Sequence, residues 1–126
     1  IPMTIPTDLS YTDQHEWLKV DGDNARVGVT AYASEALGDV VFIALPAIGS
    51  KLSAGEPCGE LESTKSVSDL FSPANGEVVE INQAVVDNPQ LLNDDPFGTG
   101  WLFVMRLEGE APLLDATAYA KLTTEG

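Results

Sequence analysis

A short segment of this chain occurs twice, and the repetition limits the folds that the chain can adopt. Residues 38–44 read Gly-Asp-Val-Val-Phe-Ile-Ala, and residues 76–82 read Gly-Glu-Val-Val-Glu-Ile-Asn, so glycine, an acid, two valines and isoleucine recur in register. β-Branched residues at this density are typical of strands. A weaker similarity between residues 59–62 and 105–108 extends the repeat. We therefore expect two related strand-rich halves that form a flattened, quasi-symmetric β-barrel.

The size and composition fit one domain. The chain has 126 residues, of which 44% are hydrophobic, and its mean hydropathy is +0.01. This length supports one modest core and is short for two. No apolar run approaches the length that spans a bilayer. We expect a single domain over residues 1–126, with a loose arm at residues 1–10 and a helical extension at residues 111–126.

The chain is strongly acidic, and its charge disfavours two classes of partner. It carries 20 acidic and 6 basic residues, for a formal net charge of −14. Such a charge repels the phosphates of nucleic acids and the surface of anionic membranes, so neither partner is expected. An acidic surface suits recognition by basic patches on other proteins, although acidity also serves solubility alone.

The cysteine content and the first residues bear on the compartment. Cys58 is the only cysteine, so no internal disulfide can form, which fits a reducing compartment. The first residues contain no targeting-peptide pattern. These observations predict a cytoplasmic protein, with a processed protein of the mitochondrial matrix as the less favoured alternative.

No catalytic or metal-binding pattern occurs in the sequence. His15 is the only histidine, and it lies beside Glu16 and Trp17 at the start of a predicted strand, far along the chain from any nucleophile motif. Metal-ligand spacings, phosphate-binding loops and dinucleotide fingerprints do not occur. We therefore expect His15 to be structural, and the chain to be neither a metalloprotein nor an enzyme.

Local patterns predict the remaining elements. Strands are expected over residues 17–20, 25–29, 39–45, 56–62 and 101–107, with a turn over 21–24. Thr30 is placed to cap a helix over residues 31–37 that Gly38 ends. Residues 87–100 form a predicted ordered loop, anchored by Leu91, Leu92 and Phe97. Asp115 is placed to cap a last helix that packs on the barrel through Ala118, Tyr119 and Leu122.

Lys65 lies at a predicted turn between two strands. The turn is formed by residues 63–66, Ser-Thr-Lys-Ser, which are small and polar. A lysine at such a place is usually only a solvated charge. Here, however, it is the only basic residue between Lys51 and Arg106, and it separates the two halves of the repeat. The pattern favours a lysine that is presented to a modifying enzyme.

The hairpin around Lys65 resembles the lipoylation hairpin of the glycine cleavage system H proteins. The resemblance rests on residues 62–73, Glu-Ser-Thr-Lys-Ser-Val-Ser-Asp-Leu-Phe-Ser-Pro, with residues 75–78, Asn-Gly-Glu-Val. Further similar segments follow in the family's order: residues 15–17 (His-Glu-Trp), 38–42, Leu45-Pro46, 88–93 and 100–102. Each segment alone is weak, while their common order is specific. The resemblance implies the mainly β, barrel-sandwich fold of lipoyl and biotinyl carriers, with short peripheral helices and a C-terminal helix.

Two related carrier classes fit less well. Biotinyl carrier domains typically place methionine on both sides of the modified lysine, whereas Thr64 and Ser66 flank Lys65 here. Lipoyl domains of the 2-oxo acid dehydrogenases usually show an Asp-Lys-Ala-like tip and lack the His-Glu-Trp segment. The H-protein family is therefore preferred.

The resemblance implies a carrier and not a catalyst. Lipoic acid would be joined to Lys65 by an amide, and its arm would carry an aminomethyl group from a pyridoxal-phosphate-dependent glycine decarboxylase to a tetrahydrofolate-dependent aminomethyltransferase. Dihydrolipoamide dehydrogenase would then reoxidise the arm, and lipoate-attaching enzymes would load it. Two alternatives remain open at this stage: an H-like lipoyl donor for other carrier domains, and an unmodified acidic interaction domain that would leave the repeat and the hairpin unexplained.

The resemblance also implies roles for residues around the lysine. Glu62, Thr64 and Ser66 occupy positions that lipoylation enzymes would recognise. Glu16 and Asp69 match acidic positions that could hydrogen-bond the amine of the loaded arm, the alternative being two solvated acids. Ala36 stands where some family members carry histidine, which predicts a weaker or differently built protection of the arm.

Overall fold

The computed structural model describes residues 8–109 and 113–125, and these residues form nine strands and four helices. The strands are β1 (Ser10–Tyr11), β2 (Glu16–Asp21), β3 (Asn24–Val29), β4 (Val40–Ala44), β5 (Lys51–Leu52), β6 (Pro57–Ser63), β7 (Val67–Phe71), β8 (Gly76–Ile81) and β9 (Phe103–Leu107). The helices are α1 (Ala31–Leu37), α2 (Gln83–Asp87), α3 (Gln90–Asp94) and α4 (Ala116–Glu125). Among these residues, no helix is both long and apolar enough to cross a membrane.

Two antiparallel sheets enclose one hydrophobic core. The larger sheet has the strand order β1-β2-β3-β9-β8-β5, and the smaller sheet has the order β4-β6-β7. Val27 and Phe103 of the larger sheet and Ile43 and Leu61 of the smaller sheet are buried in the same cluster. The predicted mainly β fold is confirmed. The strands described here form two separate hydrogen-bonded sheets, so the molecule is a flattened sandwich and its barrel is not closed by backbone pairing.

The sequence repeat has a counterpart in the backbone. β4, which contains the first copy, pairs with β6, and β8, which contains the second copy, pairs with β9. The register shifts between Val40 and Phe42 in the first pair and between Val78 and Glu80 in the second. The two irregularities, each one extra residue, occupy the same place in the repeat. The two halves therefore share a local backbone feature as well as a sequence pattern.

The weaker extension of the repeat is out of register. Ile43 lies opposite Leu61, and the equivalent Ile81 lies opposite Phe103. Leu61 therefore corresponds to Phe103. The alignment of residues 59–62 with 105–108 would instead match Leu61 to Leu107, so that part of the predicted repeat is wrong. The alternation of side chains along a strand makes such alignments ambiguous by an even number of residues.

Helix α1 begins and ends as predicted. The Thr30 hydroxyl accepts a hydrogen bond from the backbone N–H of Ala33 at 3.3 Å, and the N–H of Gly38 donates to the carbonyl of Ser34 at 3.1 Å. Gly38 has φ +81°, a conformation that favours glycine. The turn places the chain directly at the start of β4.

The predicted loop over residues 87–100 is ordered but contains structure that the sequence did not indicate. Leu92 is fully buried, Leu91 packs against the core, and the Phe97 ring lies 6.2 Å from the Trp17 ring, so the three anchors are confirmed. Helix α3 lies inside this segment, and helix α2 ends at Asp87, the first residue of the segment. Neither short helix has a side-chain cap at its N-terminus, which explains why local signals did not predict them.

A second, aromatic cluster joins residues near the beginning and near the end of the described part of the chain. It contains Leu9, Tyr11, Trp17 and Tyr119. Tyr11 N–H donates to the carbonyl of Leu114, and Leu114 N–H donates back, both at 2.7 Å. Leu9 is buried and Ser10 pairs with β2, so the loose arm predicted for residues 1–10 does not include these two residues. Residues 1–7 lie outside the described part of the chain.

Helix α4 follows its predicted cap, but it packs through fewer side chains than expected. The Asp115 carboxylate accepts a hydrogen bond from Ala118 N–H at 2.8 Å, and Tyr119 is buried. The predicted packing of Ala118 and Leu122 is wrong, since both are exposed. The helix rests on the aromatic cluster through one large side chain. The predicted extension began at residue 111, and residues 110–112 and 126 lie outside the described residues.

Candidate functional site

The turn between β6 and β7 presents Lys65 and is held by Ser63. The Ser63 N–H donates to the carbonyl of Ser66 at 2.8 Å. Its hydroxyl oxygen accepts from the N–H groups of Lys65 at 3.2 Å and Ser66 at 3.1 Å. The N–H of Thr64 donates to the carbonyl of Asp39 at 3.0 Å. Sequence reasoning did not single out Ser63, although a serine that begins a tight turn commonly bonds to the following backbone.

Lys65 is exposed, and its side chain lies against Gly38. A Cβ atom added to Gly38 would be 2.9 Å from Lys65 Cε, closer than real side chains approach. Gly38 therefore serves two purposes, because it ends α1 with a positive φ and leaves room for the methylene stem of the lysine. This position was predicted only as a helix end.

The predicted recognition residues surround the lysine on the exposed tip. Glu62, Thr64 and Ser66 are all exposed. Glu62 lies on β6 directly opposite Phe42 of β4 and Val67 of β7. The structure thus brings the modification candidate and its three neighbours together on one accessible surface.

A cavity of about 330 Å³ runs beside the hairpin and brings together the other predicted residues. β7, helix α1 and the start of β2 form its walls. Glu16, Asp69 and Ala36 all line it, and Ser66 at the tip lines its near end. The residues predicted to contact a loaded arm are therefore close to one another, although they are far apart in the sequence. Much of the remaining wall is apolar, with contributions from Tyr32, Leu37, Leu61 and Val67, and Gln14, His15 and Ser68 are its other polar residues.

Glu16 is a buried acid. Its side chain and backbone together are 3% exposed, and the Thr12 hydroxyl donates a hydrogen bond to its Oε1 at 2.7 Å. Burial raises the pKa of Glu16 to about 8, the hydrogen bond from Thr12 opposes the rise, and the nearby Asp13 adds to it. At neutral pH Glu16 is therefore mostly protonated. Asp69, in contrast, is exposed at the rim, so the alternative of a solvated acid applies to Asp69 alone.

The contacts of His15 are those of a structural residue. Its Nδ1 lies 2.8 Å from the Tyr119 hydroxyl, and its ring stacks on Tyr32 with 4.6 Å between ring centroids. Burial lowers the pKa of His15, which Asp13 partly offsets, so the ring is neutral at physiological pH. His15 also forms part of the cavity wall near Glu16.

Among the described residues, neither the thiol nor the acidic groups form a second site. Burial raises the pKa of the Cys58 thiol to about 12, with a contribution from Glu16, so Cys58 remains a protonated and weakly nucleophilic thiol. Within residues 8–109 and 113–125, the structure shows no group of three or more His, Cys, Asp or Glu side chains that could hold a metal ion.

Comparisons with known proteins identify the family of the chain. Residues 9–126 match the protein-family model described as "Glycine cleavage H-protein". The glycine cleavage system H protein of Beutenbergia cavernae is 57% identical over 122 residues, which cover 97% of this chain and 98% of that protein. The corresponding protein of Thermobifida fusca is 52% identical over 122 residues, with coverages of 96% and 97%.

A solved structure extends the agreement to the fold. The crystal structure of a glycine cleavage system H protein from Mycobacterium marinum superposes with a TM-score of 0.91 at 49% sequence identity. The superposition covers 95% of this chain and 99% of that one. The chain belongs to the glycine cleavage H-protein family.

Proposed function

We propose that Lys65 carries the lipoyl group of this protein. As a member of its family, the chain is a lipoylated shuttle of the glycine cleavage system and not a catalyst. The observation that supports Lys65 is its position: an exposed amine at the tip of a turn, beside a cavity. Because the backbone of the turn is held by Ser63 and by the contact of Thr64 with Asp39, acylation of the amine leaves the hairpin intact.

The residues beside Lys65 fit a lipoyl arm. The cavity begins at the tip and combines an apolar wall with two acids, Glu16 and Asp69. An acyl chain needs apolar surface, and an amine at its end needs hydrogen-bond acceptors. When bound, the lipoyl group supplies a dithiolane that takes up the aminomethyl group and electrons. The chain itself supplies a fixed tip and a cavity wall that can shield one side of the arm from water.

We assign the part of the cavity beside Glu16 to the amine of the loaded arm. A positive charge near Glu16 favours its ionised form, so the acid can release its proton and pair with the amine. Asp69 at the rim adds a second acceptor, while Ala36 contributes no polar group. Protection from water therefore depends on Glu16 first. Faster loss of the aminomethyl group from loaded Glu16→Ala than from the unmutated chain supports this role, and an unchanged rate contradicts it.

The chain works with the other components of the glycine cleavage system. We propose that these are the pyridoxal-phosphate-dependent glycine decarboxylase, the tetrahydrofolate-dependent aminomethyltransferase and dihydrolipoamide dehydrogenase, with lipoate-attaching enzymes as further partners. A tethered group is present at each partner at a high effective concentration. The relatives are bacterial proteins, and a cytoplasmic location is part of the proposal.

The assignment of Lys65 is tested by intact-mass measurement after expression with lipoate and a lipoate-attaching enzyme. Lys65→Arg keeps the positive charge but removes the acylated amine, so we expect no lipoyl increment. Lys51→Arg is the matched control, because Lys51 is also exposed and pairs with Glu77 at 3.1 Å and Glu108 at 2.8 Å. The control should load as the unmutated chain does. A lipoyl increment on Lys65→Arg, or a biotinyl increment on the unmutated chain, contradicts the proposal.

A further inference from the structure

The side-chain amide of Asn93 binds to α1 and to the α1–β4 junction, residues 38–40. Asn93 lies on α3 and is half-buried. Its Nδ2 donates to the Gly38 carbonyl at 2.7 Å and to the Ser34 hydroxyl at 3.2 Å. Its Oδ1 accepts from the Val40 N–H at 2.9 Å. The reverse orientation of the amide would set acceptor against acceptor at Gly38 and donor against donor at Val40, so hydrogen bonding specifies the orientation.

The two backbone contacts of Asn93 flank Asp39. β4 is an edge strand of the smaller sheet, so its outer side has no neighbouring strand among those described. The Asn93 amide takes the place of one, because it offers a donor and an acceptor as a peptide group does. On the inner side, Val40 lies opposite Ser63 of β6, and the Asp39 carbonyl accepts from the Thr64 N–H at 3.0 Å. The junction is therefore held from both sides.

The junction also determines where the side chain of Lys65 lies. A Cβ atom on Gly38 would be 2.9 Å from Lys65 Cε, so the methylene stem rests against the end of α1. Helix α1 forms one wall of the cavity, through Tyr32, Ala36 and Leu37 among others. A stem that follows the end of the helix leaves the turn toward this wall. The direction of any group on Lys65 therefore depends on the position of Gly38.

We propose that Asn93 is a positioning residue for Lys65, which holds the α1–β4 junction so that the arm leaves the turn toward the cavity. The inference rests on the proposed function of Lys65. Asn93 is not part of the cavity wall, so it acts through the backbone, by its own contacts with the junction and by that of Asp39 with Thr64. Without the amide, two backbone groups of the junction lose their partners, and the junction must move toward water to regain them.

Amide hydrogen exchange in the unmodified chain gives the first test. Asn93→Asp keeps the size of the side chain and the acceptor for Val40, but it has no donor for the Gly38 carbonyl. We expect exchange of the Thr64 N–H to become about tenfold faster, relative to the slowest amides of β3, which report global unfolding. The nuclear Overhauser effect between the Lys65 ε-methylene group and Gly38 Hα should weaken. Asn93→Ala, which removes the amide without adding a charge, should act in the same direction.

A second buried asparagine provides the matched control. Asn82 donates from its Nδ2 to the carbonyls of Thr99 at 2.9 Å and Trp101 at 2.7 Å. Asn82→Asp therefore loses two donated hydrogen bonds and adds one negative charge, as Asn93→Asp does. It should lower the stability of the fold but leave the relative exchange of the Thr64 N–H unchanged, because its contacts lie away from the junction.

The loaded chain gives the second test. Loss of the aminomethyl group is compared among the unmutated chain, Asn93→Asp and Asn82→Asp, each shown by intact mass to be fully lipoylated. An arm that leaves the turn in more than one direction occupies the cavity for a smaller fraction of the time. We expect Asn93→Asp to lose the group roughly fivefold faster than the unmutated chain, and Asn82→Asp to lose it at the unmutated rate.

The outcomes distinguish this proposal from the assignment of Lys65. If the relative exchange of Thr64 is unchanged in both Asn93 variants, or rises equally in Asn82→Asp, the amide does not position the turn and the proposal is wrong. Faster exchange without faster loss of the aminomethyl group also overturns it, because the turn would then not direct the arm to the cavity. A Lys65→Arg variant that gains lipoyl mass overturns the proposed function instead, and the exchange result, measured on the unmodified chain, does not depend on it.

Discussion

Glu16 lies at the start of β2, where its carboxyl accepts a hydrogen bond from the Thr12 hydroxyl and its side chain lines the cavity. The sequence singled out this residue as a candidate because it belongs to the His-Glu-Trp segment. It could not show the burial of Glu16, which depends on helix α1 and β7, elements distant in the sequence. Burial changes the chemistry of the residue, because a protonated acid can donate a hydrogen bond that a solvated carboxylate cannot.

The raised pKa predicts how stability depends on pH. The ordinary pKa of this acid is 4.5, and in the folded chain it is about 8. Between these values the folded chain holds a proton that the unfolded chain releases, so this group makes stability fall as pH rises through the window. Glu16→Gln removes the titration. We expect the gain in free energy of unfolding from Glu16→Gln to grow from near zero at pH 4.5 to on the order of a few kcal/mol at pH 8.

Urea unfolding at several pH values measures this gain. Glu35→Gln is the control, because Glu35 is exposed on α1 near the same cavity. We expect the pH-dependent gain only in Glu16→Gln, because the burial of the acid, and not the loss of a carboxyl group, causes it. A difference between Glu16→Gln and the unmutated chain that stays constant from pH 4.5 to pH 8 would show that Glu16 is not buried as a neutral acid.

At the scale of elements, the predictions that succeeded depended on local signals. The β2–β3 hairpin and α1 have their turn and cap residues in adjacent positions, so the sequence specifies them directly. The short helices α2 and α3 have no such caps and are stabilised by burying Val85 and Leu92, contacts that form only in the folded chain. The prediction that Leu122 packs on the barrel was wrong for the same reason, because tertiary structure decides which face of a helix is covered.

The junction between α1 and β4 can be tested at Gly38. Gly38→Ala places a side chain at φ +81° and against Lys65 Cε. We expect a loss of about 1–2 kcal/mol in stability from the backbone. The lysine stem must also move aside, which should change the NMR shifts of its ε-methylene group.

Gly22→Ala separates the two effects at this junction. Gly22 also has a positive φ, +64°, but a Cβ there meets no atom within 4 Å. This control should lose stability without changing the signals of Lys65. Unchanged ε-methylene shifts in Gly38→Ala would mean that the lysine stem does not rest on Gly38.

For the molecule as a whole, the repeat and the resemblance of the hairpin predicted the class of fold, and the assignment of the carrier site to Lys65 stays a prediction. The sequence did not predict how the chain ends are joined. Tyr119 links α4 to two distant segments: its hydroxyl lies 2.8 Å from His15 Nδ1 and 2.7 Å from Thr30 Oγ1, and its ring stacks on Tyr11 at 4.7 Å. Such a junction has no local pattern, because Tyr119 lies far along the chain from all three partners.

Removing the hydroxyl should therefore weaken the global fold. Tyr119→Phe keeps the stacking but loses the contacts with His15 and Thr30, which we expect to cost about 1–3 kcal/mol in the free energy of unfolding. Tyr32→Phe is the control, since it preserves the ring stacked on His15. Urea unfolding followed by circular dichroism measures both. Equal stabilities of the two variants would contradict a special role for Tyr119 in joining the chain ends.

The hydrogen bonds of the lysine tip have a geometric consequence for every partner. Because Ser63 holds the backbone on one side and Asp39 holds Thr64 on the other, the pivot of any group on Lys65 is fixed at the Cα of that residue. The reach of the group is then its own length plus that of the lysine side chain. A partner whose reacting centre lies deeper than this must have an entrance wide enough for two strands, about 10 Å across with side chains. Because the four-residue turn holds Lys65 in place, it limits how deep the reacting centre of a partner enzyme can lie behind a narrow entrance.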